Sequence, residues 1–298
     1  MVKKVLLIIL LFITFPELSL ADGEILVVQS IRISPYEDAL HGFLSVSNPE
    51  TKRLILSELK TSDLTREIEN TIPSLIVAIG HDALESVKEI RDTPVIYLMV
   101  LSPQFILTHD DNFYGVSMNI SPERQLEIFL KVIPDLNNIG LIYNPRNTDE
   151  LAKKAVETAE KNGIRLITWE ASRASDVPNM IKEMAGKIKA FWMLPDTTLM
   201  TPETIDLLLI TSMERNIPIF TFSDKYVEIG ALMSVAVDPY DMGRQGGELA
   251  QKLISGDIEG DGKRIFADKE VITLNVKIAQ KLGINLNREL NLDARVIK

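Results

Sequence analysis

The chain is predicted to be an α/β protein built from two doubly wound units, each a parallel sheet covered by helices. Three observations carry this. Short apolar runs alternate with amphipathic helical stretches from Glu24 to Val100, and the same rhythm returns from Asn138 to Leu282. The seam, Phe113 to Pro145 (FYGVSMNISPERQLEIFLKVIPDLNNIGLIYNP), leaves one unit as a strand and enters the next through a capped helix. A length of 298 residues, 46% of them hydrophobic, is enough to fill two cores.

In the first unit, Glu24 to Ile31 reads as a strand and Pro35 opens a helix with Ala39, Leu40, Phe43 and Leu44 at helical spacing. Arg53 to Leu56 is a short second strand, and Asp63 to Ile72 a helix with Ser62 or Asp63 at its start. Ser74 to Ile79 is a strongly apolar strand, Gly80-His81-Asp82 turns into a helix ending near Arg91, and Pro94 to Val100 is a fourth strand. At the seam, Phe113 to Met118 is a strand. Ser121 caps a helix with Pro122 in its first turn and Leu126, Phe129, Leu130 and Ile133 along one face, and Pro134 stops it. A hinge is expected near Gly115 to Asn119.

The second unit opens on the buried strand Asn138 to Asn144, followed by the helix Thr148 to Lys161 with Gly163 just past its end. Strands are then expected at Ile164 to Trp169, Ala190 to Leu194, Ile217 to Phe222 and Ala231 to Val237, with helices at Asp176 to Ile188 and Pro202 to Arg215. Asp238-Pro239-Tyr240 leads into a long helix, Met242 to Ser255. Gly256 to Lys263 is a polar turn, Val271 to Val276 a strand and Lys277 to Leu282 a short helix.

The N-terminus reads as a cleaved secretory leader, residues 1–21: Lys3 and Lys4, an apolar run from Val5 to Phe15, then Ser19-Leu20-Ala21. That run is shorter than the roughly 20 residues a membrane span needs. The absence of cysteine excludes a lipid tether at a cleavage-site cysteine, disulfides and thiolate chemistry. A net charge of −10 argues against a nucleic-acid binder, which needs a basic face for phosphates. His41, His81 and His109 lack ligand spacing, so no metal is expected. No Gly-x-Ser-x-Gly elbow and no phosphate-binding loop occur, and no cofactor or catalytic set is expected. Trp169 and Trp192 sit in strands and are expected to be buried.

In open α/β sheets ligands sit outside the carboxyl ends of the strands, where helix N-termini offer free N–H groups. That selects the strand-to-helix turns. Gly80 would let a ligand approach the backbone and His81 could donate to a carboxylate; equally, Asp82 could simply cap a helix and His81 face solvent. Asn144, Asn147 and Thr148 form a second turn, in which one of the latter two caps the next helix. Asp196 and Thr197 form a third, where the acid either meets the ligand or orients its loop. Ser223, Asp224 and Asp238 complete the rim, and Asp238 can also cap the helix after Pro239.

Several stretches resemble the ABC-transporter substrate-binding protein family that includes tryptophan- and tyrosine-binding members. These are Gly115-Val116-Ser117, Gln125-Leu126-Glu127, Ile139 to Pro145, Pro218-Ile219-Phe220, Gly230-Ala231-Leu232, Asp238, Gly243-Arg244-Gln245, Leu274-Asn275 and Ala279 to Ile284. The match spans the chain beyond the leader. It implies a type I periplasmic binding protein: two Rossmann-like lobes with parallel sheets, residues 22–117 plus 239–264 and residues 118–238 plus 265–298. A three-strand hinge would cross near 116–120, 236–240 and 262–268, with a ligand in the cleft. By resemblance, Gln29 and Ser117 line that cleft, and Asp238 binds ligand or latches the closed form. The sequence departs from the family pattern at three places. His81-Asp82 replaces a small hydroxyl residue that helps hold a ligand carboxylate. Asp196 stands one place early for the acid that pairs with a ligand amine, with Thr197 in its stead. Ser102-Pro103 replaces Asp-Pro. The implied function is a monomeric, non-enzymatic periplasmic protein that binds a small polar or zwitterionic molecule, an amino acid among the options, and delivers it to an ABC permease. The alternative is a ligand sensor docking on a sensor kinase or chemoreceptor.

Overall fold

The structure, a computed structural model, describes residues 24–47, 50–59, 63–107, 111–257, 263–286 and 293–297. The expected leader, Ser62, His109 and most of the polar turn after Gly256 lie outside the described residues.

The first lobe runs β1 (Ile25–Gln29), α1 (Ser34–Ser47), β2 (Thr51–Ile55), α2 (Asp63–Thr71), β3 (Leu75–Ile79), α3 (His81–Val87), β4 (Val95–Leu98) and β5 (Phe113–Ile120). The second runs α4 (Pro122–Val132), β6 (Asn138–Tyr143), α5 (Asp149–Lys161), β7 (Arg165–Glu170), α6 (Val177–Met184), β8 (Ala190–Trp192), α7 (Pro202–Arg215), β9 (Ile219–Thr221), α8 (Asp224–Glu228) and β10 (Met233–Val237). The chain then returns to the first lobe as α9 (Pro239–Ser255) and β11 (Arg264–Ala267). It finishes in the second with β12 (Glu270–Asn275), α10 (Val276–Lys281) and β13 (Ala294–Ile297).

The two sheets have the strand orders β11-β5-β4-β3-β1-β2 and β13-β12-β10-β9-β8-β6-β7. Every pairing is parallel except β10 with β12. That exception follows from the hinge: β10 leaves the second lobe there and, after α9 and β11 in the first lobe, β12 re-enters it in the opposite direction, so Val237 pairs with Glu270. The first sheet keeps β5 to Ile120 and β11 to Ala267, a few residues beyond the boundaries expected at 117 and 264.

Helices cover both faces of each sheet, which is why the strands are apolar throughout rather than alternating. Val27, Val77, Ile96 and Leu98 pack with Ala39 and Phe43 of α1 and Met242 and Leu249 of α9. Leu26, Ile76, Val95 and Phe113 pack on the other face with Ala83, Leu84 and Val87 of α3. In the second lobe Phe129 stacks on Phe220 at 4.1 Å and meets Trp192 edge-on at 5.1 Å. Trp192 is fully buried and donates its indole N–H to Gln125 Oε1 at 2.9 Å; Gln125 Nε2 in turn donates to the Ile120 carbonyl at 2.7 Å. This chain of bonds anchors the end of a crossing strand to the second core. Trp169 is only partly buried, its ring beneath Lys187 Nζ at 5.6 Å.

The first lobe is closed by glycines. A Cβ on Gly243 would fall 1.8 Å from the Ala39 carbonyl oxygen, and one on Gly42 would fall 1.9 Å from the Tyr240 carbonyl oxygen. α1 and α9 therefore touch backbone to backbone. Capping follows the expected residues at α4, where Ser121 Oγ accepts from Arg124 N at 3.3 Å, and at α9, where Asp238 Oδ1 accepts from Tyr240 N and Asp241 N at 3.0 and 3.2 Å.

Candidate functional site

The lobes enclose a cleft of about 430 Å³. Its first wall is the end of β4 and the segment after it: Tyr97, Val100, Leu101, Ser102, Pro103 and Gln104. Ser117 and Asn119 of β5, with Arg264, Ile265 and Phe266 of β11, form the hinge side. The opposite wall is Pro195 and the turn from Pro145 into α5, as far as Lys154. Strand pairing explains the floor. Tyr97 sits opposite Gly115, Gly115 opposite Arg264, and Ser117 opposite Phe266. A Cβ on Gly115 would lie 2.3 Å from the Tyr97 ring, so glycine there is what lets the ring lie flat across the sheet.

The first wall is held in unusual backbone. Met99 (φ 57) and Ser102 (φ 51) both occupy the left-handed region, and they bracket Val100 and Leu101. For non-glycine residues that conformation is uncommon and stores about 1–2 kcal/mol each. The second wall is stitched by one carboxylate. Asp196 is 1% exposed. Its Oδ2 accepts from Asn144 N and Thr148 Oγ1, both at 3.0 Å. Its Oδ1 accepts from Asn147 Nδ2 at 3.0 Å, Thr198 N at 3.0 Å and Leu199 N at 3.1 Å. Two turns, after β6 and after β8, are thereby locked together. The walls meet where Gln104 Nε2 donates to the Asn147 carbonyl oxygen at 3.0 Å.

Four of the residues expected at the site, Ser102, Ser117, Asn147 and Thr148, line this cleft. The others lie elsewhere, for definite reasons. Gln29 is fully buried and bonded to Arg53, Glu37 and the Ile31 carbonyl. The Gly80 turn is filled from inside: a Cβ on Gly80 would meet Ser30 Oγ at 2.6 Å and the Tyr36 ring at 2.6–2.7 Å. Ser30 Oγ already accepts the Ala83 N–H at 2.9 Å, so this helix start is occupied. His81 and Asp82 face solvent. Burial, and then Asp82, push the Tyr36 hydroxyl above its ordinary pKa.

Asn144 is buried and turns its side chain to the Arg146 N–H at 3.0 Å. Asp196 is bonded to protein donors through both oxygens, and Thr197 is exposed and outside the cleft lining. Ser223 precedes α8, and Asp224 pairs with Arg295 at 3.4 Å. Asp238 caps α9 and pairs with Lys269 at 2.7 Å. Its desolvation is outweighed by the bonds from Lys269 and the backbone, which hold its pKa below the usual value. Sequence reasoning missed Tyr97, Gln104, Asn119, Arg146, Lys154, Arg264 and Phe266. The expected hinge at Gly115 to Asn119 pointed at Asn119, and the Ser102-Pro103 departure pointed at Gln104; nothing in the sequence singles out Lys154 or Arg264. Among the described residues, no three His, Cys, Asp or Glu side chains cluster so as to hold a metal ion, and no helix is long and apolar enough to cross a membrane.

Residues 57–298 match the family described as ABC transporter substrate binding protein. A tyrosine-binding protein of Clostridioides difficile is 25% identical over 227 residues, 72% of this chain and 64% of that protein. An uncharacterized Rickettsia prowazekii protein is 25% identical over 183 residues, 60% of this chain and 58% of that one. The chain thus spans about three-fifths of the length of the curated relatives it matches. The ligand-free, open structure of a Clostridium difficile substrate-binding protein with adhesive properties superposes with a TM-score of 0.69 at 20% identity, covering 93% of this chain and 99% of that one. An ABC domain from Streptococcus pneumonia in complex with L-Trp gives 0.61 at 21% identity, covering 93% and 100%.

Proposed function

From the premise that this chain belongs to the ABC transporter substrate-binding protein family and has the type I periplasmic binding protein fold, we propose that it captures a small polar or zwitterionic solute between its lobes and presents it to an ABC permease. The supporting observation is the 430 Å³ cleft, lined from both lobes and from two hinge strands, with Gln104 reaching across it to Asn147. A solute that touches both walls only when they approach favours the closed form, and so shifts the population toward it. An amino acid is the solute class suggested by the tyrosine-binding relative and by the L-Trp complex. The protein would work as a monomer in the periplasm, export following from the leader at residues 1–21. It would bind without turning its ligand over; the permease's ATPase would supply the energy.

Thermal-shift measurement of the purified protein against amino acids, nucleosides, sugars and organic acids tests this, because a ligand that binds only the native state raises its melting temperature. Small-angle scattering with a stabilising compound should show a smaller radius of gyration. An unchanged radius at saturation would contradict lobe closure, and chemical conversion of the compound would contradict a pure binder.

A further inference from the structure

We propose that two ion pairs, Asp238 with Lys269 and Arg124 with Glu270, bracket the hinge, make its three crossings bend as one, and so set how far apart the solute-free lobes stand. The chain passes between the lobes three times: from β5 into α4, from β10 into α9, and from β11 into β12. The backbone ladders stop short of the middle of this region. The first-sheet pairing of β5 with β11 shifts register between Phe266 and Ala267 and ends at Ile120 opposite Ala267. The second-sheet pairing of β10 with β12 begins at Val237 opposite Glu270. Asp268 and Lys269 lie between the two ladders.

Side chains join what the ladders leave apart. Lys269 Nζ meets Asp238 Oδ2 at 2.7 Å, tying the third crossing to the second, and the Asp238 N–H donates to the Lys269 carbonyl at 3.1 Å beside it. The next residue, Glu270, accepts from Arg124 Nε at 3.0 Å, tying the third crossing to the first. Arg124 stands in the opening turn of α4, where its own N–H meets the Ser121 cap, and its Nη1 also reaches Glu127 at 2.8 Å. On the first-lobe side, Gln245 of α9 takes the Asp268 N–H at 3.1 Å and donates to the Phe266 carbonyl at 3.2 Å. The carboxylates are largely sheltered, with Glu270 13% and Asp238 17% exposed in their side chains, so separating either from its cation leaves a partly desolvated charge. The bond to Glu270, then that to Glu127, pushes the Arg124 guanidinium above its ordinary pKa, as the bond to Asp238 does for Lys269. Bending one crossing alone would stretch one of these pairs. Moving all three together keeps both, and a two-state lobe equilibrium lies close enough to balance for modest pairs to bias it.

The inference concerns the solute-free protein and holds whatever the solute. The chain has no cysteine, so Glu69→Cys on exposed α2 and Lys182→Cys on exposed α6 place one spin label on each lobe. Pulsed dipolar spectroscopy then reads the distribution of distances between the lobes. Lys269→Gln and Glu270→Gln should each broaden that distribution and shift its mean at unchanged circular dichroism, while Arg173→Gln, which breaks a surface pair with Asp176, leaves it as it was. Both substitutions spare the α9 cap, since Asp238 Oδ1 still accepts from Tyr240 N and Asp241 N. An unchanged distribution in both variants overturns the bracket, and broadening in only one overturns the coupling of all three crossings; in either case the solute-binding reading stands. Should a variant fail to fold, salt reads the same property in the labelled parent. Raising ionic strength from about 0.1 M to about 1 M shortens the Debye length from about 10 Å to about 3 Å, and should broaden the distribution because Arg124 and Lys269 are solvent-exposed. A distribution indifferent to salt then overturns the proposal.

Discussion

The two walls of the cleft are held by opposite means. The second-lobe wall hangs on Asp196, whose buried carboxylate accepts five hydrogen bonds from two separate turns. The first-lobe wall rests on backbone forced into the left-handed region at Met99 and Ser102. One wall is over-determined and the other is strained. The difference teaches that a polar residue at a strand tip need not face the ligand: it can spend all its bonding capacity shaping the surface that does.

The largest expected effect follows from removing the stitch. Asp196→Ala takes the acceptor from three backbone N–H groups and the Thr148 hydroxyl, and leaves Asn147 Nδ2 with Thr198 Oγ1 alone. It should lower stability by about 3 kcal/mol in urea denaturation. Near-native stability with lost ligand affinity would instead place the carboxylate on the ligand and erase the contrast. Gly243→Ala comes next, because its Cβ has no space against the Ala39 carbonyl and α1 must separate from α9. A loss of about 2–3 kcal/mol is expected there, with ligand affinity kept. Ser102→Gly should do the reverse and stabilise by roughly 0.5–1 kcal/mol, since glycine accepts φ 51 without strain. A destabilised Ser102→Gly would mean that the first wall is not under strain.

Smaller effects sharpen the picture at the hinge and across the cleft. The Asp238 carboxyl has its folded pKa held below the ordinary value, against desolvation, by Lys269 and the backbone N–H groups of α9. Its contribution is therefore present above the unfolded pKa and is lost as pH falls through the folded one, below about pH 4. Asp238→Asn should flatten the acid side of the stability profile in that window and leave the neutral region little changed in slope. Gln104→Ala should leave the melting temperature within a degree or so, an exposed single bond being worth little. It should still enlarge the radius of gyration of the solute-free protein, because it deletes the bond between the walls.

Much of the architecture was legible because it depends on local periodicity. Runs such as Leu75–Ile79 and the Ser121-Pro122 start of α4 announce themselves within a few residues. The elements that went unseen are the short ones, α8 at Asp224–Glu228 and β13 at Ala294–Ile297; β11 at Arg264–Ala267 was expected only through the family resemblance, as the hinge crossing near 262–268. Too few residues are involved for a period to show, and pairing with distant strands is what makes them regular. Ile217 and Phe222 extend an apolar run beyond β9, but Ile217 N closes the preceding helix on the Ser212 carbonyl instead of pairing in the sheet.

The site was legible in kind and not in position. The rule that ligands gather at strand tips marks every strand-to-helix turn in both lobes. Only the flank beside β4, β5, β11 and α5 opens into the cleft. Ser102, Ser117, Asn147 and Thr148 lie on that flank. Gly80 and Asp224 lie on turns that neighbouring side chains have already filled or paired.

From the amino-acid order alone came the α/β class, the two units, the seam between them and the caps at Ser121 and Asp238, because these follow from the spacing of apolar residues and from side chains meeting backbone a few positions away. Tertiary structure decided which strand tips open into the cleft, what Asp196 bonds to, and which ring Lys154 lies over. Each of those depends on groups brought together from distant parts of the chain: Asp196 on Asn144, roughly fifty positions earlier, and Lys154 on Phe266, more than a hundred later. No local pattern records such meetings, since they exist only once the sheets have formed and turned toward each other.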